Sequence, residues 1–169
     1  MILMKNAAKN KKIIKALKLI VYDFDGVLTD NRVFVSEDGK ESVFVNRSDG
    51  LAILEIKKMG IAQLILTAER NKVVKVRAKK LGIPCKNNIS DKKKAFITYC
   101  KKLKISLKEA AYAGNEINDR DVMKIAGFAI APRDAYKDIK KIAALITVSK
   151  GGEGVAREIL DILKKARSS

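Results

Sequence analysis

Asp23 and Asp25 stand two residues apart in the run Asp23-Phe24-Asp25-Gly26-Val27-Leu28-Thr29-Asp30, directly after the apolar stretch Leu17–Tyr22. A short apolar run that ends on an acid reads as a buried strand delivering charge to its carboxyl end. Two carboxylates so close repel each other unless a cation lies between them. For an isolated pair, a solvated acidic loop is the simpler reading. Here other segments supply matching parts. A carboxylate that attacks phosphorus needs an acid/base, cationic charge for the phosphoryl oxygens and a hydroxyl to orient them. Asp23 suits the nucleophile and Asp25 the acid/base. Thr67, at the end of Gln63-Leu64-Ile65-Leu66, offers the hydroxyl, and Lys92 the cation. Lys92 opens a run of three lysines, of which at most one is expected to face inward. The segment Gly114-Asn115-Glu116-Ile117-Asn118-Asp119 adds oxygen ligands suited to Mg²⁺, and a plain polar helix cap is its alternative. The candidate metal ligands are Asp23, Asp25 through its carbonyl, Asn115, and Glu116 or Asp119.

The elements that must carry these residues follow from periodicity and turn signals. After the strand Leu17–Tyr22, Arg32–Val35 and Ser42–Val45 flank the turn Glu37-Asp38-Gly39-Lys40 and predict a hairpin. A helix over Asp49–Met59 stops at Gly60, a buried strand spans Ile61–Leu66, and a helix over Asn71–Leu81 closes at Gly82. A helix over Asp91–Leu103, a capping box at Ser106-Leu107-Lys108-Glu109 and a strand over Ala110–Ala113 come next. The remaining expectations are a helix over Asn118–Ile125, strands Phe128–Ile130 and Leu145–Val148, and a helix over Val155–Lys165. Strands alternating with helices predict an α/β fold, a parallel sheet with helices on both faces. Ligands of such folds sit beyond the carboxyl ends of the strands, which singles out Asp23, Thr67, Asn115 and Pro132.

Composition sets the bounds. A chain of 169 residues with 47% apolar residues, ten glycines and two prolines is the size and type of one ordinary domain. Residues 1–16 read as a basic, frayed leader and 17–169 as the domain. Cys85 and Cys100 lack ligand spacing and there is no histidine, so both cysteines read as buried free thiols of a cytosolic protein. No stretch is long enough to span a membrane. The formal charge of +17 invites a nucleic-acid reading. Against it, the lysines are dispersed, aromatics make up only 5%, and no nucleic-acid motif accompanies them. A dispersed positive field also attracts a small anionic substrate.

In combination, DFDGVLTD, Thr67, Lys92 and GNEIND resemble the four ordered motifs of the haloacid dehalogenase superfamily. The hairpin, the segment Asn46-Arg47-Ser48-Asp49-Gly50 and GGEGVAREILD (Gly151 to Asp161) further resemble its small capless branch, which dephosphorylates 3-deoxy-2-ulosonate phosphates. The likeness runs from about Lys18 to Leu163. It implies a Rossmann-like sheet with a protruding hairpin and no cap domain, a Mg²⁺ cofactor, and a homotetramer in which four hairpins pair and narrow the site. It also implies substrate contacts from Arg47, Asp49, Glu69 and Lys80. Enzymes of this branch acting on eight-carbon octulosonate 8-phosphate typically carry an arginine shortly after the motif threonine. Glu69 and Lys80 are more similar to the nine-carbon nonulosonate 9-phosphate enzymes, although Glu69 also suits a helix N-terminus. Two positions depart from the pattern: Ala68 replaces a glycine, and Asn115 an aspartate that binds magnesium. GNE in place of GDD is also similar to the tail domains of animal sialic-acid cytidylyltransferases, which implies a second reading as an assembly domain of little activity.

Overall fold

The computed structural model describes residues 3, 4 and 7–168. Its strands are β1 (Leu3–Met4), β2 (Leu19–Tyr22), β3 (Phe34–Val35), β4 (Glu41–Ser42), β5 (Ala62–Leu66), β6 (Cys85–Lys86), β7 (Ala110–Ala113), β8 (Phe128–Ala131) and β9 (Leu145–Ile146). Its α-helices are α1 (Ala7–Lys15), α2 (Arg47–Lys58), α3 (Lys72–Leu81), α4 (Lys92–Leu103), α5 (Arg120–Ile125), α6 (Lys137–Ile142) and α7 (Val155–Arg167). Six strands run parallel in the order β9-β8-β7-β2-β5-β6, and β1 adds to β9 antiparallel. The expected α/β architecture is therefore the observed one. Strand β2 is its centre. From it the chain moves to β5 and β6 on one side, then crosses to β7, β8 and β9 on the other. A crevice opens where the direction reverses, between the carboxyl ends of β2 and β7.

Period-two alternation feeds two cores, one on each face of the sheet. Ile20, Tyr22, Ile65 and Ile130 pack with Ile14, Ile53, Ile56, Val74, Ile159 and Leu163 from α1, α2, α3 and α7. Leu19, Val21, Leu64 and Tyr112 pack on the other face with Phe96, Val122, Met123 and Ile139 from α4, α5 and α6. The helices begin where short polar side chains satisfy first-turn amides: Asn46 accepts from Ser48, Asn71 from Val73 and Asp91 from Lys94. Gly82, at φ 66°, ends α3 in the left-handed conformation.

Several expectations are corrected. Over its described residues the leader is ordered rather than frayed: α1 seats Ile14 in the core, Asn10 is buried, and β1 pairs with β9. The box at Ser106 and Glu109 forms but closes only a 3₁₀ turn, Leu107–Glu109, because Ala110 already pairs with Leu19 in the sheet. The helix expected from Asn118 begins as a 3₁₀ turn, Ile117–Asp119, and becomes α-helical at Arg120. The edge strand β6 and the six-residue α6 are additions. The hairpin pairs over two positions, Phe34 with Ser42 and Val35 with Glu41, and leaves Val33, Phe34, Val35 and Phe44 exposed.

Replacing Ile14 by alanine should cost about 2–5 kcal/mol in urea unfolding, the range for a buried isoleucine. A leader that frays would tolerate the change without loss.

Candidate active site

The central strand hands its charge to the crevice. Asp23 follows β2, its amide donating to the Ala113 carbonyl at 2.9 Å, and its side chain is almost fully buried. One carboxylate oxygen accepts from the Phe24 amide at 2.8 Å, and the other pairs with Lys92 Nζ at 2.9 Å. Lys92 is the first residue of α4 and turns inward, while Lys93 and Lys94 stay exposed. It also binds Asp119 Oδ1 at 2.7 Å, so one buried ammonium serves two buried carboxylates. Burial raises the Asp23 pKa and Asp119 adds to the rise, while Lys92 and the Phe24 amide pull it back without cancelling it. Burial alone would lower Lys92, but Asp23 and Asp119 outweigh it and hold the ammonium charged.

Asp25 lies half-buried on the same loop, where Thr29 Oγ1 donates to it at 3.4 Å. Burial raises its pKa, and the negative charge of Glu69 raises it further. A carboxyl so placed holds its proton longer than a solvated one, as a general acid must. Thr67, at the end of β5, is buried, and its hydroxyl accepts from the Glu69 amide at 3.0 Å. Glu69 in turn accepts the Arg70 and Asn71 amides just before α3, the N-terminal role its position suited. Asp25, Glu69, Glu41, Asn71, Val43 and Phe24 line a cavity of about 230 Å³ between the hairpin and α3.

Among the described residues, no three carboxylate, thiolate or imidazole side chains gather closely enough to hold a metal. The donor set for a cation would therefore be mixed. Asn115 fits it: buried at the end of β7, its Oδ1 finds no hydrogen-bond partner. A buried amide oxygen with no partner, packed against the Gly26 turn that follows Asp23 and Asp25, is what a hard cation would satisfy. Gly26, at φ 77°, makes this approach possible, since a Cβ there would lie 2.0 Å from Asn115 Nδ2. Asp119, expected at the metal directly or through water, is already held by donors of the protein. Its Oδ1 accepts from Lys92 and, at 2.8 Å, from the Tyr112 hydroxyl, and its Oδ2 from the Asn115 and Glu116 amides. The side chain of Glu116 accepts from Ile117 and is likewise occupied as a cap.

The other substrate candidates separate. Glu69 borders the cavity. Arg47 is exposed at the start of α2, and Lys80 is exposed in the last turn of α3, about 12 Å along the axis from its first residue. Asp49 is corrected outright: it is buried beneath α2, where its Oδ1 accepts the Arg157 amide at 3.2 Å and its Oδ2 has no partner. Burial pushes it up to about 6, despite the Arg157 and Ala156 amides and Arg77. The sequence reading also missed Tyr112, whose phenol orients Asp119, and, although it quoted Gly151–Gly154 for its resemblance, it did not foresee how closely that loop approaches Gly26.

Residues 66–159 match the haloacid dehalogenase-like hydrolase family. The 3-deoxy-D-manno-octulosonate 8-phosphate phosphatase of Escherichia coli K12 is 32% identical over 152 residues, covering 89% of this chain and 81% of that protein. The Moraxella catarrhalis 3-deoxy-D-manno-octulosonate 8-phosphate phosphatase, solved with magnesium, phosphate and the sugar acid, superposes with a TM-score of 0.91 at 31% identity, over 96% of this chain and 93% of that one. Its Yersinia pestis counterpart superposes at 0.91 with 29% identity, over 95% and 87%.

The buried charge of Asp49 has a sign that can be measured. Its folded pKa, about 6, lies above the ordinary 3.8, so the folded state holds the proton more tightly across that interval. Its contribution to stability is full below the lower value and falls as pH rises to the upper one. The thermal midpoint of the wild type, relative to Asp49→Asn, should therefore drop between about pH 4 and about pH 7. A difference constant with pH contradicts a buried, ionising Asp49.

Proposed function

Because the chain belongs to the haloacid dehalogenase-like hydrolases, we propose that it is a Mg²⁺-dependent phosphatase of a 3-deoxy-2-ulosonate phosphate, with Asp23 as nucleophile. The observation that carries this reading is the pair Asp23 and Asp25 leaving the central strand at the crevice, with Lys92 bound to Asp23 and the unpartnered Asn115 oxygen beside them. Asp23 attacks phosphorus; the bond to the sugar oxygen breaks, and that oxygen takes the Asp25 proton. Asp25 then accepts a proton from water, whose oxygen displaces Asp23 and releases phosphate. Lys92 holds Asp23 in line and adds positive charge at the phosphoryl group, while the Thr67 hydroxyl orients a phosphoryl oxygen. Asp23, the Asp25 main-chain carbonyl and Asn115 would hold Mg²⁺. When bound, it neutralises phosphoryl charge and the repulsion between the two aspartates.

For the substrate, the names of the relatives support a sugar-acid phosphate. The residue two positions after Thr67 is Glu69, at the cavity edge, where the eight-carbon enzymes typically place arginine, so we favour a nine-carbon nonulosonate 9-phosphate over octulosonate 8-phosphate. In a single chain Arg47 and Lys80 do not line the cavity, and an assembled oligomer would present them to a neighbour's site. The exposed apolar residues of the hairpin support such an assembly, a homotetramer, because a two-stranded ribbon with both faces apolar is an interface in want of a partner.

Phosphate release from both ulosonate phosphates tests the function. Asp23→Asn should keep the fold and lose at least about a thousandfold in turnover. Asn115→Asp restores a charge to the cation site and should lower the Mg²⁺ concentration at half-maximal rate. Asp119→Asn should instead depress kcat through Lys92 and leave that concentration little changed. If the wild type is inactive with Mg²⁺ while Asn115→Asp gains turnover, the assembly-domain reading replaces this one. Phe34→Asp with Phe44→Asp should give monomers by light scattering and reduced activity; a wild type that is already monomeric at micromolar concentration removes the tetramer.

A further inference from the structure

The geometry points to Asp49 as a positioning residue: by capping α7 from α2, it clamps the Gly151–Gly154 loop onto the loop that carries Asp25. Helix α7 begins after Gly154, which sits at φ 100° and has no side chain to satisfy the first-turn amides. Asp49 supplies the missing cap in trans, taking the Arg157 amide at 3.2 Å and drawing on that of Ala156. A negative charge at this end of a thirteen-residue helix is also where its dipole favours one.

What the cap fixes lies just upstream. The Gly152 amide donates to the Val27 carbonyl at 3.1 Å, and a Cβ on Gly152 would lie 2.5 Å from the Asp30 nitrogen. A Cβ on Gly151 would lie 2.3 Å from the Gly26 carbonyl oxygen, and the Gly151 amide donates to Asp134 Oδ1 at 2.9 Å. Gly26 presses on Asn115 and adjoins Asp25. A backbone contact so close transmits small displacements of the α7 terminus to both ends of the site, and about an ångström of misplacement can cost about a hundredfold in rate.

The carboxylate is retained against its own burial. Tyr22 and Arg77 are the titratable groups that interact with it, one oxygen has no partner, and its pKa is held up at about 6. A charge that burdens the fold while holding a catalytic loop marks a residue kept for function. The kinetic half of this inference rests on the phosphatase reading; the clamp itself does not.

The test pairs turnover with amide hydrogen exchange. Asp49→Ala, which removes the cap, should lower kcat about tenfold with KM held within about threefold, since the lesion misplaces catalytic groups rather than removing a substrate contact. The Gly152, Ala156 and Arg157 amides should exchange faster, whereas Asp49→Asn, whose amide oxygen can still accept from Arg157, should recover most of both losses. Leu163→Val, in the core-facing side of α7, should lower the thermal midpoint and leave kcat unchanged. Gly152→Ala should reproduce the kcat loss with Asp49 intact. Wild-type kcat in Asp49→Ala overturns the inference, as does a kcat loss that Leu163→Val shares. Should the wild type turn over no phosphate, the phosphatase reading fails alone: faster exchange at those amides in Asp49→Ala still supports the clamp, and unchanged exchange overturns it.

Discussion

One buried ammonium between two buried carboxylates governs this molecule. Lys92 lies within 2.9 Å of Asp23 and 2.7 Å of Asp119, all three nearly excluded from solvent. Removing Lys92 would leave two carboxylates stranded together in the interior, which costs far more than the ion pairs gain over water. The arrangement therefore ties together the ends of β2 and β7 and the start of α4, three points far apart in the chain. It also leaves one carboxylate charge in excess, a surplus that a cation from solution would meet. Tyr112 and the Asn115 and Glu116 amides hold Asp119 still, so that Lys92 points at Asp23 rather than choosing between partners.

Around that triad the structure works by the close approach of backbone to backbone. Gly151 and Gly152 bring two loops so near each other that a methyl group at either would collide with backbone, and one at Gly26 would collide with the Asn115 side chain. Gly114 does the same for Asp119, where a Cβ would lie 2.7 Å from the carboxylate carbon. Side chains that do chemistry thus rest on positions where side chains are forbidden, and the site is rigid at its base. Its outer wall is different. The hairpin pairs over two positions only and turns an apolar surface to solvent.

Much of this was legible in the sequence because it was local. Asp23 and Thr67 follow an apolar run directly and Asn115 follows one after a single glycine, and the rule that ligands gather at strand ends finds them without knowing the fold. Lys92 was found as the inward member of its run because it opens a helix. What escaped depended on partners distant in the chain. Whether Asp119 faces a cation or Lys92 is settled by a helix 27 residues earlier, and the place of Asp49 by an amide 108 residues later. The leader hid for another reason: Ile13 and Ile14 are outnumbered by lysines, so their apolar face vanished in the mean polarity. Strand β6 and helix α6 are too short for a period to be counted.

The central place of β2 has a consequence for how the protein comes into being. The strand is made before both its neighbours, Ala62–Leu66 and Ala110–Ala113, which emerge from the ribosome later. Lys92 and Asp119 must also be synthesised before the charge on Asp23 is matched. Until then the nascent chain carries an apolar strand with both edges open, the kind of segment that pairs with the wrong partner. Long-range parallel pairing is also slow to form. The lysines spread over the chain give the unfinished polypeptide a strong like charge, and mutual repulsion keeps one such intermediate from another while the sheet waits for its missing strands.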